Sequence, residues 1–131
     1  MPFDLFIFAV FQMEEWELDF QWLKVRHKLK DVLKADALPD MKSILFIIGV
    51  QELGRVEKTF SKEEKRDLMH VAACALLEKD GYYVFSGRDH DGWPHWEIGK
   101  PFKIKGVEEQ EKILKLNIIQ YFKNLDNINT L

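Results

Sequence analysis

Lys79-Asp80-Gly81-Tyr82-Tyr83-Val84-Phe85-Ser86-Gly87-Arg88-Asp89-His90-Asp91-Gly92-Trp93-Pro94-His95-Trp96-Glu97-Ile98 is the stretch whose reading decides the fold. Large apolar residues flank a cluster of turn formers, the pattern of two strands joined by a short loop. Pairing Tyr83 with Ile98 and Phe85 with Trp96 puts four large apolar side chains on one face, which is expected to turn inward. The other face then sets Val84 opposite Glu97, Ser86 opposite His95 and Arg88 opposite Trp93. Asp89-His90-Asp91-Gly92 becomes the loop, with Gly92 supplying a positive φ. Pro94 has no N–H to donate, so the second strand belongs at an edge.

Working outward, the segment before this hairpin reads as helix. Ser61 and Glu64 have the spacing of a capping box, in which each side chain satisfies the other's backbone amide. The helix they open runs to Lys79, with Leu68, Val71, Ala72, Ala75 and Leu76 as its core face. Further upstream, Leu38-Pro39-Asp40 breaks the chain and Asp40 is placed to cap a helix reaching Leu53, closed by Gly54. Gly49 inside it costs about 1 kcal/mol against alanine, which predicts another backbone crossing closely there. A single buried strand is the alternative for this apolar run.

Leu18, Trp22, Val25, Leu29 and Val32 recur in steps of four and three, which predicts a long N-terminal helix. Trp16, Phe20 and Leu23 add a second stripe, so this helix is expected to be buried on two sides. The same region also alternates as a strand would, through Trp16, Leu18, Phe20 and Trp22. Phe3 to Phe11 is apolar all round and fits either a helix or a buried strand. Past the hairpin, Glu108 to Asn124 forms a last helix, and the tail Asn127 to Leu131 is expected to fray. The whole is expected to be α+β, mostly α, with about four helices and one antiparallel β-hairpin over roughly residues 82–98, in a single domain spanning 1–131.

A chain of 131 residues can bury a core without staples, and 47% hydrophobic with 31% charged residues excludes disordered or collagen-like classes. A net charge of -3 offers no electrostatic reason to expect nucleic acid or an anionic membrane. Cys74 is the only cysteine, which favours a reducing compartment. The opening Met1-Pro2-Phe3-Asp4 lacks the basic region of a secretory signal, and Leu5 to Phe11 is too short to span a bilayer. A cytoplasmic protein without a membrane segment is the expectation.

Two segments carry a resemblance: Leu38-Pro39-Asp40-Met41 through Gly49-Val50-Gln51-Glu52-Leu53-Gly54, and Asp91-Gly92-Trp93-Pro94-His95-Trp96. Together they resemble a family of small bacterial proteins of the Bacteroidetes type, over roughly the middle two-thirds of the chain. No function is assigned to that family. The resemblance implies a bacterial cytoplasmic protein and transfers no catalytic residue.

Several constellations carry chemistry. Asp89, His90, Asp91 and His95, with Glu97 beside them, are good divalent-metal ligands, although their spacing matches no recognised metal motif and an Asp-rich hairpin tip makes local turn bonds anyway. No other cofactor is expected. His70 and Cys74 lie one helical turn apart, as a base and nucleophile would, but the alanines around Cys74 suit a buried thiol. Helix, helix and two strands in that order resembles a winged-helix arrangement, with Arg88 and Trp93 at the wing tip. Against nucleic acid, Lys62, Lys65 and Arg66 are offset by Glu63, Glu64 and Asp67. Lys24, Arg26, Lys28, Lys30 and Lys34 cluster late in the first helix, as a solvated helix end or a site for an acidic partner. Arg88, Trp93 and His95 form a candidate recognition surface, with Trp93 stacked on Arg88 as the bland alternative. The leading expectation is a non-enzymatic accessory protein that binds a protein partner or itself. A winged-helix-like nucleic-acid binder and a metal-dependent enzyme are the alternatives.

Overall fold

Two polar side chains start the helices at the centre of the chain. Asp40 accepts a hydrogen bond from the Ser43 amide at 2.9 Å, opening α2 (Met41–Leu53), and Gly54 closes it in the left-handed conformation. Ser61 accepts from the Glu64 amide while Glu64 accepts from the Ser61 amide, the complete capping box that opens α3 (Lys62–Glu78). The computed structural model describes residues 13–55, 59–103 and 106–129, and among these the fold is α+β and mostly α. The N-terminal helix α1 covers Glu15–Leu33 and the last, α4, covers Val107–Asn129. The hairpin is β1 (Tyr83–Arg88) paired antiparallel with β2 (Pro94–Ile98). The expectations for Phe3 to Phe11 lie outside the described residues.

The chain divides into two compact units, one holding α1 and α4, the other running from Pro39 to Phe102. In the second unit α2 packs on α3, and α3 packs on both strands. Ile44, Ile48, Gly49 and Leu53 are the buried stripe of α2, so that helix is sided rather than buried all round. Leu68, Val71, Ala72, Cys74, Leu76 and Leu77 are buried on α3. The close crossing is at Gly49: a Cβ there would lie 2.1 Å from the Leu68 carbonyl oxygen, far inside any allowed contact. Phe60 meets Phe46 edge-on at 5.8 Å beside this crossing.

The hairpin register is Tyr83 to Ile98, Val84 to Glu97 and Phe85 to Trp96 as the alternation predicts, and then slips. Gly87, not Ser86, faces His95, and Arg88 faces Pro94 rather than Trp93. The cause is a β-bulge at Ser86–Gly87, where Gly87 takes a φ of 107° that a side chain would resist. The aromatic face turns toward α3 through Tyr83, edge-on to His70, and through Trp96, whose indole N–H donates to Glu78 at 3.1 Å. It is nevertheless half open. Phe85 is 46% exposed and Ile98 84%, correcting the expectation of an inward face. A single helix against a two-stranded ribbon covers only the part its last turns reach, so Phe85 meets Trp96 edge-on instead, ring centroids 5.4 Å apart.

In the first unit, Leu18, Trp22 and Leu29 are the buried side of α1, and α4 buries Ile113, Asn117, Ile118 and Ile119. Glu15 pairs with Lys112 at 3.7 Å and Lys28 pairs with Asp126, so both helices run in the same sense. The expected second buried stripe is overturned: Trp16 is 67% exposed, Phe20 55% and Leu23 42%. Val32 is exposed as well. Helix α4 is assigned through Asn129, five residues beyond the expected Asn124.

Candidate functional site

The hairpin tip gathers most of the residues singled out in the sequence, and its centre, Asp89, is engaged in local bonds. The Asp89 carboxylate accepts from the amides of Asp91 at 2.9 Å and Trp93 at 3.0 Å through one oxygen. Its other oxygen meets His95 Nε2 at 2.8 Å. The His95 hydrogen bond, followed by that of the Trp93 amide, holds the Asp89 carboxyl below the usual carboxylate range. Asp89 therefore has little coordinating capacity left. His90 projects into solvent, 3.5 Å from Asp91, and Glu97 is exposed on β2 opposite Val84. Among the described residues no group of three or more His, Cys, Asp or Glu side chains is placed to hold a metal ion.

Arg88 is not a free wing-tip cation. Its guanidinium donates to the carbonyls of Leu53 at 3.0 Å, Gly92 at 2.8 Å and Glu52 at 2.7 Å. Arg55 reaches the Asp91 carbonyl at 2.7 Å. Two arginines thus fasten the hairpin loop to the C-terminal end of α2, where unpaired carbonyls and the negative end of the helix dipole favour cations. These bonds give Arg88 an architectural role, while Trp93 is half-buried and His95 exposed. The same corner holds two carboxyls the sequence reading did not select. Burial, and then the nearby Glu78 charge, raise the Glu52 carboxyl, while Arg88 lowers it. Nothing in the spacing of Glu52 and Glu78 announces their meeting, because a whole helix separates them.

Cys74 and His70 do approach, with Sγ 3.5 Å from Nε2. Burial pushes the thiol up from 9.0 to about 11, so it stays protonated at neutral pH. A nucleophile needs the opposite shift.

A different feature is open. Between α1 and α4 lies a groove of about 810 Å³, floored by Val25, Leu29, Ile119, Phe122 and Leu125. Phe20, Leu23, Lys24 and His27 form one lip, and Lys28 with Asp126 bridge it. Trp16, Phe20, Leu23 and His27 are spaced four, three and four apart, so they fall within about 60° of the helix circumference. All four are exposed, and this face lies opposite Leu18, Trp22 and Leu29. The sequence marked this stripe but assigned it to the core. Among the described residues of the first unit, nothing covers it.

Compared with protein-family models, curated proteins and solved structures, the chain finds no match. No described helix is long and apolar enough to cross a membrane.

Proposed function

We propose that this chain is a non-enzymatic protein-interaction module whose working surface is the exposed face of α1 with the groove beside it. The observation that carries the reading is three large apolar side chains, Trp16, Phe20 and Leu23, in one exposed row whose last two members form the lip of an apolar groove. Isolated exposed apolar residues are ordinary, but a contiguous row next to a concave apolar floor is the form of a helix-binding site. Tryptophan and phenylalanine supply much area at small entropic cost, which suits an anchor. The candidate catalytic groups do not compete with this reading: the thiol is protonated, and the Asp89 and Arg88 side chains are occupied by local bonds. The single cysteine suits a reducing cytoplasm, and we place the module there on that ground.

A photo-crosslinking residue at Leu23, compared with one at the exposed Lys42 of α2, tests the surface in the native host. A discrete cross-linked protein through position 23, absent through position 42, is the expected result. Identical patterns from both positions would remove the assignment.

A further inference from the structure

The partner that best fits this surface is a second copy of the same chain, and the ground for that lies in how α1 distributes its charge. Its N-cap and first half carry Glu14, Glu15, Glu17 and Asp19 and no base, whereas its second half and C-cap carry Lys24, Arg26, Lys28, Lys30 and Lys34 with one acid, Asp31. Such a helix is complementary to itself only when reversed. We infer that two copies pair through the exposed faces of their α1 helices, antiparallel, about a two-fold axis passing near Gln21 and Trp22. The inference rests on the interaction reading of α1 and names its occupant.

The side-chain rows fit that arrangement. With the axis there, Phe20 packs against Leu23 of the second copy and Trp16 against its His27, each contact occurring twice, as a two-fold interface requires. These are the alternating layers of an antiparallel two-helix seam. Glu17 and Lys24 border the row on one side, and reversal brings Glu17 of one copy beside Lys24 of the other. Lys24 lies 5.6 Å from the Phe20 ring in the single chain, so its ammonium is already at the edge of the seam. A parallel pairing would instead stack His27 on His27, Lys30 on Lys30 and Lys34 on Lys34, and would align like dipoles. Charge therefore selects the antiparallel sense.

The area is modest. Trp16, Phe20 and Leu23 offer on the order of 300 Å² of apolar surface per copy, given that an aromatic side chain presents roughly 150–250 Å². With flanking residues the pair approaches about 1,000 Å², the lower bound of specific interfaces, so the dimer forms in a concentration-dependent way.

Sedimentation equilibrium of the full chain, from low to several hundred micromolar, reads this directly. The wild type is expected to pass from monomer to dimer and no further, and Phe20→Asp to stay monomeric with unchanged helix content by circular dichroism. Glu17→Lys and Lys24→Glu are each expected to weaken pairing about tenfold, since each replaces two attractive contacts by repulsive ones. An equimolar mixture of these two variants restores pairing, because the heterodimer regains opposite charges at both positions. A mixture no tighter than either variant alone overturns the proposal. So does a wild type that stays monomeric throughout. If that monomer still cross-links another protein through Leu23, self-pairing falls and the interaction surface stands. If it cross-links nothing there, both fall.

Discussion

Cys74 shows how burial decides the chemistry of a single residue. Its sulfur touches His70, and on spacing alone the two form a dyad, yet burial raises the thiol from 9.0 to about 11. A group whose folded value is raised stabilises the fold fully while the unfolded thiol is still protonated, up to about pH 9. That contribution is lost as pH climbs through about 11, where the folded thiol also ionises. The stability difference between wild type and Cys74→Ala, followed by urea denaturation, should therefore be flat from pH 7 to about 9 and then shrink toward pH 11. Alkylation of the folded chain by iodoacetamide should stay slow at neutral pH. A fast-reacting thiol at pH 7 would contradict the burial account. Asp89 is the reverse case: exposed, its carboxyl is held low by His95 and then by the Trp93 amide, and those bonds organise the hairpin turn.

Among the elements, the α2–α3 crossing depends on one missing methyl group. Helix propensity alone would reward Gly49→Ala by about 1 kcal/mol. The added Cβ would meet the Leu68 carbonyl oxygen at 2.1 Å, so the helices must separate, and overpacking of this kind costs typically 1–3 kcal/mol. Gly49→Ala is expected to destabilise the chain by about 2 kcal/mol, measured as a lower denaturation midpoint; a gain in stability would show that the helices do not touch there. This crossing, both helix caps and the first three hairpin pairs were legible in the sequence, because each is written in local signals: a glycine in an apolar run, Asp40, Ser61 with Glu64, and strict alternation. The bulge at Ser86–Gly87 was not, since glycine permits the slip without requiring it. The exposure of Trp16, Phe20 and Leu23 was not legible either. Periodicity reveals that a helix has two apolar faces, but whether a second element exists to cover each is settled only by tertiary packing. The architectural use of Arg88 escaped for the same reason, two of its three acceptors being 35 and 36 residues away.

Across the whole molecule, the order of segments is unequal between the two units. Pro39 to Phe102 is one continuous stretch inserted between α1 and α4, which themselves run in the same sense and so need a long connection. The inserted unit contains its own caps, its own helix crossing and both arginine ties between α2 and the hairpin. The pair α1 and α4, by contrast, can meet only after the ends of that insertion are brought together, a closure whose entropic cost grows slowly with length. The excised fragment Pro39–Phe102 is therefore expected to fold alone, keeping its helical circular dichroism and the Trp96–Glu78 hydrogen bond seen as a protected indole N–H by NMR. At roughly 60 residues it buries only about 60% of its unfolded surface, so its melting temperature should fall below that of the full chain. A fragment with no cooperative melting would mean that the inserted unit is only a geometric division, held in shape by the rest of the chain.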